Sequence, residues 1–224
     1  MYRSYVKSDQ DLGPVVDQIN GKDIRANQIQ RRGFTWQNGY GTPSDGHDTS
    51  LGQKPVRKLT KDAKSIIIFW SRSGSTAVLA SQIERITNAD VLEVTLKEPY
   101  PANYQETLSR AEYERQNHRP PSIQMDMPDL SQYDRVYLGY QTWAMTMSQP
   151  MQGFLEQYGQ LLSGKEIALF ESEGGYGAGS SEYVAESLIK EAGGHDFTII
   201  SPLVVDGNKV DKAEKKVTSW INRL

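Results

Sequence analysis

Residues 65–88, SIIIFWSRSGSTAVLASQIERITN, contain a strand, a polar turn and a helix in direct succession. The run SIIIFW (65–70) is apolar and rich in β-branched residues, which is typical of a strand covered on both faces. In TAVLASQIERITN (76–88), apolar residues recur at helical spacing. The stretch therefore predicts the first strand–helix unit of an α/β sheet.

The same alternation continues to the C-terminus. Further strand-like runs occupy residues 91–96, 135–140, 166–172 and 197–205, and helical patterns occupy 104–117, 150–158, 181–192 and 210–223. Right-handed crossovers between such units produce a parallel sheet sandwiched by helices. We therefore predict an α/β fold over residues 64–224, with a doubly wound five-stranded parallel sheet and helices on both faces.

Residues 1–63 have a different composition. They are rich in glycine and proline and lack apolar patterning apart from LGPVVDQI (12–19), which predicts a largely irregular extension with at most one short helix. Residues 1–64 contain 11 Lys and Arg against 7 Asp and Glu, whereas residues 65–224 contain 14 against 21. The aromatic residues Phe34, Trp36 and Tyr40 could anchor the extension on a surface. We expect it to pack on its own domain or on a second subunit of a homodimer.

Composition excludes several classes of function. The absence of cysteine excludes disulfides and thiolate metal sites, and the three histidines form no ligand pattern, so we predict neither a metal site nor a catalytic residue. The acidic body disfavours nucleic acid as a partner. No apolar run reaches the roughly 18–20 residues of a membrane span, and the N-terminus has no apolar segment typical of a secretion signal. A cytoplasmic location is therefore expected.

The turn after the first strand is a candidate phosphate site. In open α/β sheets, ligands bind beyond the carboxyl ends of the strands. Here the hydroxyl side chains, together with the free backbone amides at the N-terminus of the following helix, could bind an anion. Gly74, which has no Cβ, would let the backbone come close to that anion. The alternative is that a serine merely caps the helix. The candidate residues are Ser71, Arg72, Ser73, Gly74, Ser75 and Thr76.

Two more loops at the same predicted edge are unusual. After the third strand, an aromatic ring beside methionines suits a flat ligand, although Trp143 could instead belong to the core. After the fourth strand, a glycine-rich backbone could present amides to a ring edge, although a plain flexible connection would look similar. The candidate residues are Gln141, Thr142, Trp143, Ala144 and Met145 in one loop, and Glu173, Gly174, Gly175, Tyr176 and Gly177 in the other. Together the three loops predict a flat, phosphorylated cofactor such as FMN.

Residues 65–224 resemble the flavodoxin-like family, within the group of small bacterial flavodoxins. The stretch 71–76 matches the family's S-x-S-G-x-T phosphate loop, and EPYPANY (98–104) resembles its P-Y-P-x-x-Y segment. GYQTWAMTM (139–147) resembles the loop that contacts the isoalloxazine ring, and EGGYG (173–177) resembles the third cofactor loop. The resemblance implies FMN as the cofactor and the strand order 2-1-3-4-5.

The sequence departs from the family pattern around the ring. Gln141 stands where proline is common, and Ala144-Met145 replaces an aromatic–glycine type of pair. In the third loop, the residues that differ from the usual small hydroxylated ones are Glu171, Ser172, Glu173 and Tyr176. A carboxylate at position 173 would oppose a negative charge on a reduced flavin, so these changes bear on redox potential.

The resemblance leaves three functions open. The first is an electron-transfer flavoprotein that serves redox partner proteins or small electron acceptors. The second is an FMN-dependent NAD(P)H oxidoreductase acting on quinones or similar acceptors, and the third is an interaction module without cofactor. Because a bound flavin carries the chemistry itself, neither of the first two requires a catalytic side chain from the protein.

Overall fold

The computed structural model of the protein describes residues 15–26, 54–101, 103–207 and 209–224. The strands are β1 (Val15–Ile19), β2 (Lys22–Arg25), β3 (Arg57–Lys58), β4 (Ser65–Phe69), β5 (Asp90–Glu93), β6 (Arg135–Trp143), β7 (Thr146–Met147), β8 (Glu166–Glu173) and β9 (Thr198–Asp206). The α-helices are α1 (Ser75–Thr87), α2 (Tyr104–Gln116), α3 (Gln149–Tyr158), α4 (Ser181–Glu191) and α5 (Glu214–Ile221). Every strand and helix predicted within residues 64–224 is present, with small differences at the ends.

The central sheet has its five long strands parallel, in the order β5-β4-β6-β8-β9. Numbered along the body, this is the order 2-1-3-4-5. Because β5 and β6 lie on opposite sides of β4, the direction of winding reverses there, and open α/β sheets bind ligands beyond the strand ends at such a point. Two short strands, which the sequence did not predict, extend this sheet: β3 pairs antiparallel with β5, and β7 pairs antiparallel with the end of β6.

Both faces of the sheet are buried. Along β4, Ile66 and Ile68 belong to one hydrophobic cluster, whereas Ile67 and Phe69 belong to the other. The helices α1 and α5 cover the face of Ile67, and α3 and α4 cover the opposite face. A strand that is covered on both faces needs apolar residues at successive positions, which accounts for the continuous apolar run in the sequence. No helix within the described ranges is long and apolar enough to cross a bilayer.

Residues 15–26 of the N-terminal extension form a β-hairpin, not the irregular chain or short helix that we expected. β1 and β2 pair antiparallel, with Ile19 opposite Lys22. The two residues between them, Asn20 and Gly21, have φ of 50° and 75°, as a two-residue type I′ turn requires. Asn-Gly is the most favourable pair for that turn, so the sequence contained this indication.

The hairpin packs on the outer side of α1. Ile24 and Ala26 are buried in the same cluster as Val78 of the helix. Asp17 accepts hydrogen bonds from Ser81 Oγ at 2.8 Å and from Arg85 Nη1 at 2.9 Å. Residues 75–83 are consequently all buried, which a helix covered on one side only would not show.

A buried carboxylate joins two parts of the extension to the sheet. Glu93, at the end of β5, accepts hydrogen bonds from the Val56 amide at 2.7 Å and from Lys22 Nζ at 3.2 Å. The described part of the extension therefore packs on its own domain. The aromatic residues proposed as anchors, Phe34, Trp36 and Tyr40, lie outside the described residues, and the homodimer remains a prediction.

Replacement of Ile24 by alanine tests whether the hairpin unfolds together with the body. We expect Ile24→Ala to lower the free energy of unfolding by about 2–5 kcal/mol, because it removes a buried side chain from the shared core. The control is Val15→Ala on the same hairpin, where the side chain is 43% exposed and the change should stay within about 0.5 kcal/mol. Urea unfolding measures both. Equal, small effects would show that the hairpin is not part of the cooperative unit.

Candidate functional site

The loop between β4 and α1 lies at the point where the winding of the sheet reverses. Its polar residues are almost fully buried, with Ser71, Ser73 and Thr76 at most 4% exposed and Arg72 7% exposed. Gly74 is the N-cap of α1, and its carbonyl accepts the first helical hydrogen bond from the Val78 amide at 2.9 Å. The amides just before Val78 therefore stand at the open, positive end of a helix.

The hydroxyl groups of this loop form hydrogen bonds within the loop and with the ends of neighbouring strands. Ser71 Oγ accepts a hydrogen bond from the Gly74 amide at 3.1 Å, and Ser75 Oγ donates to the Gly207 carbonyl at 3.0 Å. Thr76 Oγ1 lies 2.9 Å from Ser172 Oγ. Because no side chain caps α1, helix capping does not account for the serines. The contacts of Ser75 and Thr76 fix the loop to the end of β9 and to β8.

The absence of a Cβ at Gly74 allows another group to pack closely against its backbone. In the structure that group is another part of the same chain. A Cβ at this position would lie 1.8 Å from the Arg25 carbonyl oxygen and 2.8 Å from the Ala26 Cα. Its φ of 92° is also unfavourable for any residue with a side chain. We expected the missing Cβ to leave room for a ligand; in the structure it leaves room for the end of the hairpin.

The second candidate loop is the tight turn between β6 and β7. Trp143 pairs with Thr146, and the two residues between them, Ala144 and Met145, have φ of 49° and 63°. Positive φ at two successive non-glycine residues is strained, and such strain persists only where surrounding contacts support it. Here the support comes from the Met145 carbonyl, which accepts a hydrogen bond from the Ser180 amide at 2.9 Å. The second and third candidate loops are thus in direct contact.

Trp143 belongs to a cluster of three aromatic rings and is half-buried. Its centroid lies 5.5 Å from that of Trp70 and 5.5 Å from that of Tyr100, both in edge-to-face geometry. Tyr100 is held in turn by the Arg110 guanidinium, 4.2 Å above its ring, and by a hydrogen bond to Glu114. The orientation of Trp143 is therefore fixed by core contacts, while part of its ring remains open to solvent. The two interpretations of Trp143 left open by the sequence are compatible.

The third candidate loop encloses a carboxylate. Glu173 Oε2 accepts hydrogen bonds from the Gly175 amide and, at 2.8 Å, from the Gly177 amide. Both glycines have positive φ, at 102° and 82°, so the backbone curls around the acidic side chain as it does in an anion-binding nest. We expected these amides to face a ligand; in the structure they are bound to Glu173. Gly174 and Tyr176 are exposed beside them.

Gln141 connects the first two loops. Its Nε2 donates to the Trp70 carbonyl and, at 2.7 Å, to Thr76 Oγ1. Its Oε1 is buried, and no donor among the described residues reaches it. A buried acceptor thus lies between the candidate phosphate loop and Trp143, where a ligand hydroxyl group would satisfy it.

Glu171 and Tyr140 form a buried polar pair, which the sequence did not predict. Glu171 is fully buried, and its Oε2 accepts a hydrogen bond from Thr142 Oγ1 at 2.9 Å. Burial raises the pKa of Glu171, and hydrogen bonds from Thr142 and other hydroxyls offset only part of the rise. Burial and the adjacent Glu171 also raise the pKa of Tyr140. Because β8 is buried continuously from Ile167 to Ser172, no alternation in the sequence marks Glu171 as a buried position.

Residues 64–223 match the family model described as Flavodoxin. The chain belongs to the flavodoxin family. The match spans all three candidate loops and leaves the β1–β2 hairpin outside it. A search of curated proteins gives no match.

Solved structures resemble this flavodoxin-family chain over most of its length. A candidate flavoprotein from Bacteroides eggerthii DSM 20697 is 21% identical, with a TM-score of 0.57, covering 72% of this chain and 97% of that one. Another from Bacteroides uniformis ATCC 8492 is 20% identical, with a TM-score of 0.58, covering 72% and 99%. A flavoprotein from Lactobacillus acidophilus NCFM, solved in complex with FMN, is 26% identical, with a TM-score of 0.50, covering 67% and 97%. The first two similarities show the fold.

The raised pKa of Glu171 predicts a pH-dependent stability. A raised pKa means that the folded state holds the proton more tightly than the unfolded state, so the free energy of unfolding falls as pH rises from about 4.5 through the folded-state pKa. Glu171→Gln cannot ionise and should be the more stable form at pH 8. Its advantage should grow by up to about 1.4 kcal/mol per pH unit within that window.

Urea unfolding of both proteins at several pH values between 4.5 and 8 measures this difference. The control is Gln105→Ala, which replaces an exposed side chain of α2 and removes no ionisable group. An advantage of Glu171→Gln that stays constant over the range would contradict a raised pKa.

Proposed function

We propose that this protein binds FMN and acts as a flavodoxin-type electron-transfer protein. The main support is one juxtaposition. The S-x-S-G-x-T stretch lies at the N-terminus of α1, at the point where the winding of the sheet reverses, and Gln141 joins it directly to the loop of Trp143. The family match and the FMN complex of the Lactobacillus acidophilus relative also support the proposal.

The residues present fit a phosphate in their chemistry. The N-terminal amides of α1 donate hydrogen bonds and carry the positive end of the helix dipole. The hydroxyls of Ser71 and Ser73 and the buried guanidinium of Arg72 are in the same loop. In this proposal Thr76 contributes through its amide, since its hydroxyl contacts Gln141 and Ser172.

The residues that follow fit the other parts of FMN. In this proposal Gln141 Oε1, which no donor among the described residues reaches, would accept a hydrogen bond from a ribityl hydroxyl. Trp143, held by its two aromatic neighbours, offers a pre-oriented ring for the isoalloxazine system. Met145 and Tyr176, 46% and 60% exposed, would form the apolar rim of this site.

Bound FMN would supply one- and two-electron transfer, and the protein would supply orientation and charge. Electron transfer to a protein partner is supported by the balance of residues 65–224, which contain 21 acidic and 14 basic residues and favour partners with basic surfaces. Small electron acceptors would reach the same exposed rim. No described feature favours an NAD(P)H oxidoreductase over this function, and a cytoplasmic location remains a prediction.

An absorbance spectrum of the protein with added FMN, followed by stepwise anaerobic reduction, tests the proposal. We expect one FMN per chain and reduction in two separate one-electron stages. Direct reduction by NADPH with repeated turnover of a quinone would overturn the carrier in favour of the oxidoreductase. Protein that neither binds FMN nor quenches its fluorescence would overturn FMN binding altogether.

The phosphate assignment predicts a selective loss on mutation of the loop. Ser73→Ala should weaken FMN about tenfold, because a hydrogen bond to a charged group contributes about 1.5–3 kcal/mol. Riboflavin, which lacks the phosphate, should bind almost as before. Ser109→Ala, an exposed serine on α2, should change neither affinity. Fluorescence titrations measure all three, and an equal loss for both ligands would contradict the assignment.

Glu173 should lower the redox potential of the bound flavin. Its carboxylate lies inside the glycine-rich loop and would oppose a negative charge gained on reduction. We expect Glu173→Gln to raise the midpoint potential by about 40 mV for a one-electron step, which corresponds to a free energy on the order of 1 kcal/mol. Glu182→Gln, an exposed carboxylate in the first turn of α4, is the control. A similar rise in both variants, measured by anaerobic redox titration, would point to net charge instead of Glu173.

A further inference from the structure

The contact between the β1–β2 hairpin and Gly74 joins two parts of the chain that the family match separates. The Arg25 carbonyl and the Ala26 Cα lie against Gly74, in the space that a Cβ would fill. Gly74 holds φ of 92° and is the residue at which the chain enters α1. With the hairpin docked, the backbone at position 74 has little room to take another conformation.

The hairpin is attached to the same helix that begins at this glycine. Asp17 binds Ser81 and Arg85, which lie about two and three turns beyond the first residue of α1, and Ile24 packs on the helix in the core. These contacts place the end of β2 over the N-terminus of α1. The hairpin therefore contacts both the helix and the loop that precedes it.

We propose that the β1–β2 hairpin is a positioning element of the phosphate loop, so that hairpin docking and binding of the ligand's phosphate stabilise each other. This inference rests on the proposed FMN site. A phosphate bound by backbone amides requires a loop already held in the binding conformation, since ordering it on binding would cost affinity. Coupling of this kind is reciprocal: whatever the hairpin adds to phosphate affinity, the phosphate adds to hairpin docking.

Two roles of the hairpin predict different ligand dependence. A hairpin that merely stabilises the fold would affect FMN and riboflavin alike, because both ligands need the folded protein. A hairpin that positions the phosphate loop would affect FMN and leave riboflavin almost unchanged. Comparison of the two ligands therefore separates positioning from general stability.

The absence of cysteine in the chain makes hairpin undocking measurable. Ser81→Cys places a thiol beneath the hairpin at a fully buried position, and the thiol still offers Asp17 a hydrogen-bond donor, although a weaker one than the hydroxyl. Ala168→Cys, fully buried in the middle of β8, reports opening of the whole fold. The labelling rate of each thiol by a small thiol reagent is measured without ligand and at equal occupancy of FMN or riboflavin.

We expect FMN to slow labelling of the Ser81→Cys protein at least tenfold more than riboflavin does. The Ala168→Cys protein should label more slowly throughout and should show no such difference between the ligands. Equal protection by FMN and riboflavin at position 81 would overturn the positioning role. An absence of FMN binding by the unmodified protein would overturn both this inference and the proposed function, so the two failures are distinguishable.

The reciprocal measurement uses an altered hairpin anchor in the full chain. Asp17→Ala removes the partner of Ser81 and Arg85, and we expect FMN affinity to fall about tenfold with riboflavin affinity unchanged. Glu214→Ala is the matched control, because Glu214 is a second carboxylate near Arg85, at 3.8 Å, on α5 and not on the hairpin. The coupling between hairpin docking and phosphate binding would be contradicted if Asp17→Ala weakened FMN and riboflavin equally. It would also be contradicted if Asp17→Ala and Glu214→Ala lowered FMN affinity by the same factor.

Discussion

Burial of both faces of the parallel strand β4 is the constraint on which the rest of the structure depends. Residues 66–69 have no exposed surface, so helices must cover the sheet on each side. Two parallel strands of one sheet can be joined only by a crossover connection. Each crossover begins with a loop at the carboxyl end of a strand. The loops after β4, β6 and β8 are therefore neighbours at one edge. That common edge makes a shared site for a ligand possible.

The loops at this edge are fixed by contacts with one another. Gln141 links the first loop to the second, and the bond between Met145 and Ser180 links the second to the third. Glu173 stabilises the third loop from within. A site built in this way is ordered before a ligand binds, which lowers the entropic cost of binding. The same contacts occupy several donors that the sequence suggested would be left for the ligand.

The sequence predicted the body well and the extension poorly, for physical reasons. Long apolar runs with β-branched residues form strands because burial on both faces requires such residues, so β4, β6 and β8 were found within a few positions. The hairpin was missed even though Asn20-Gly21 is a strong local indication, because its strands are short and mostly polar on one side. The polar residues Glu171 and Gln141 were not recognised as buried, since burial of a single polar side chain leaves little trace in a pattern.

The sequence alone determined the fold class and which loops share an edge, through its apolar periodicity and the S-x-S-G-x-T stretch. Both follow from local features, because the apolar pattern indicates which strands are buried and because crossovers between parallel strands are right-handed. Only the tertiary structure decided how the polar groups of those loops are used. Arg25 lies against Gly74, and the carboxylate of Glu173 binds the amides of its own loop. Such contacts depend on side-chain rotamers and on residues distant in the chain. The spacing of residues along the sequence indicates neither the rotamers nor the contacts between distant residues.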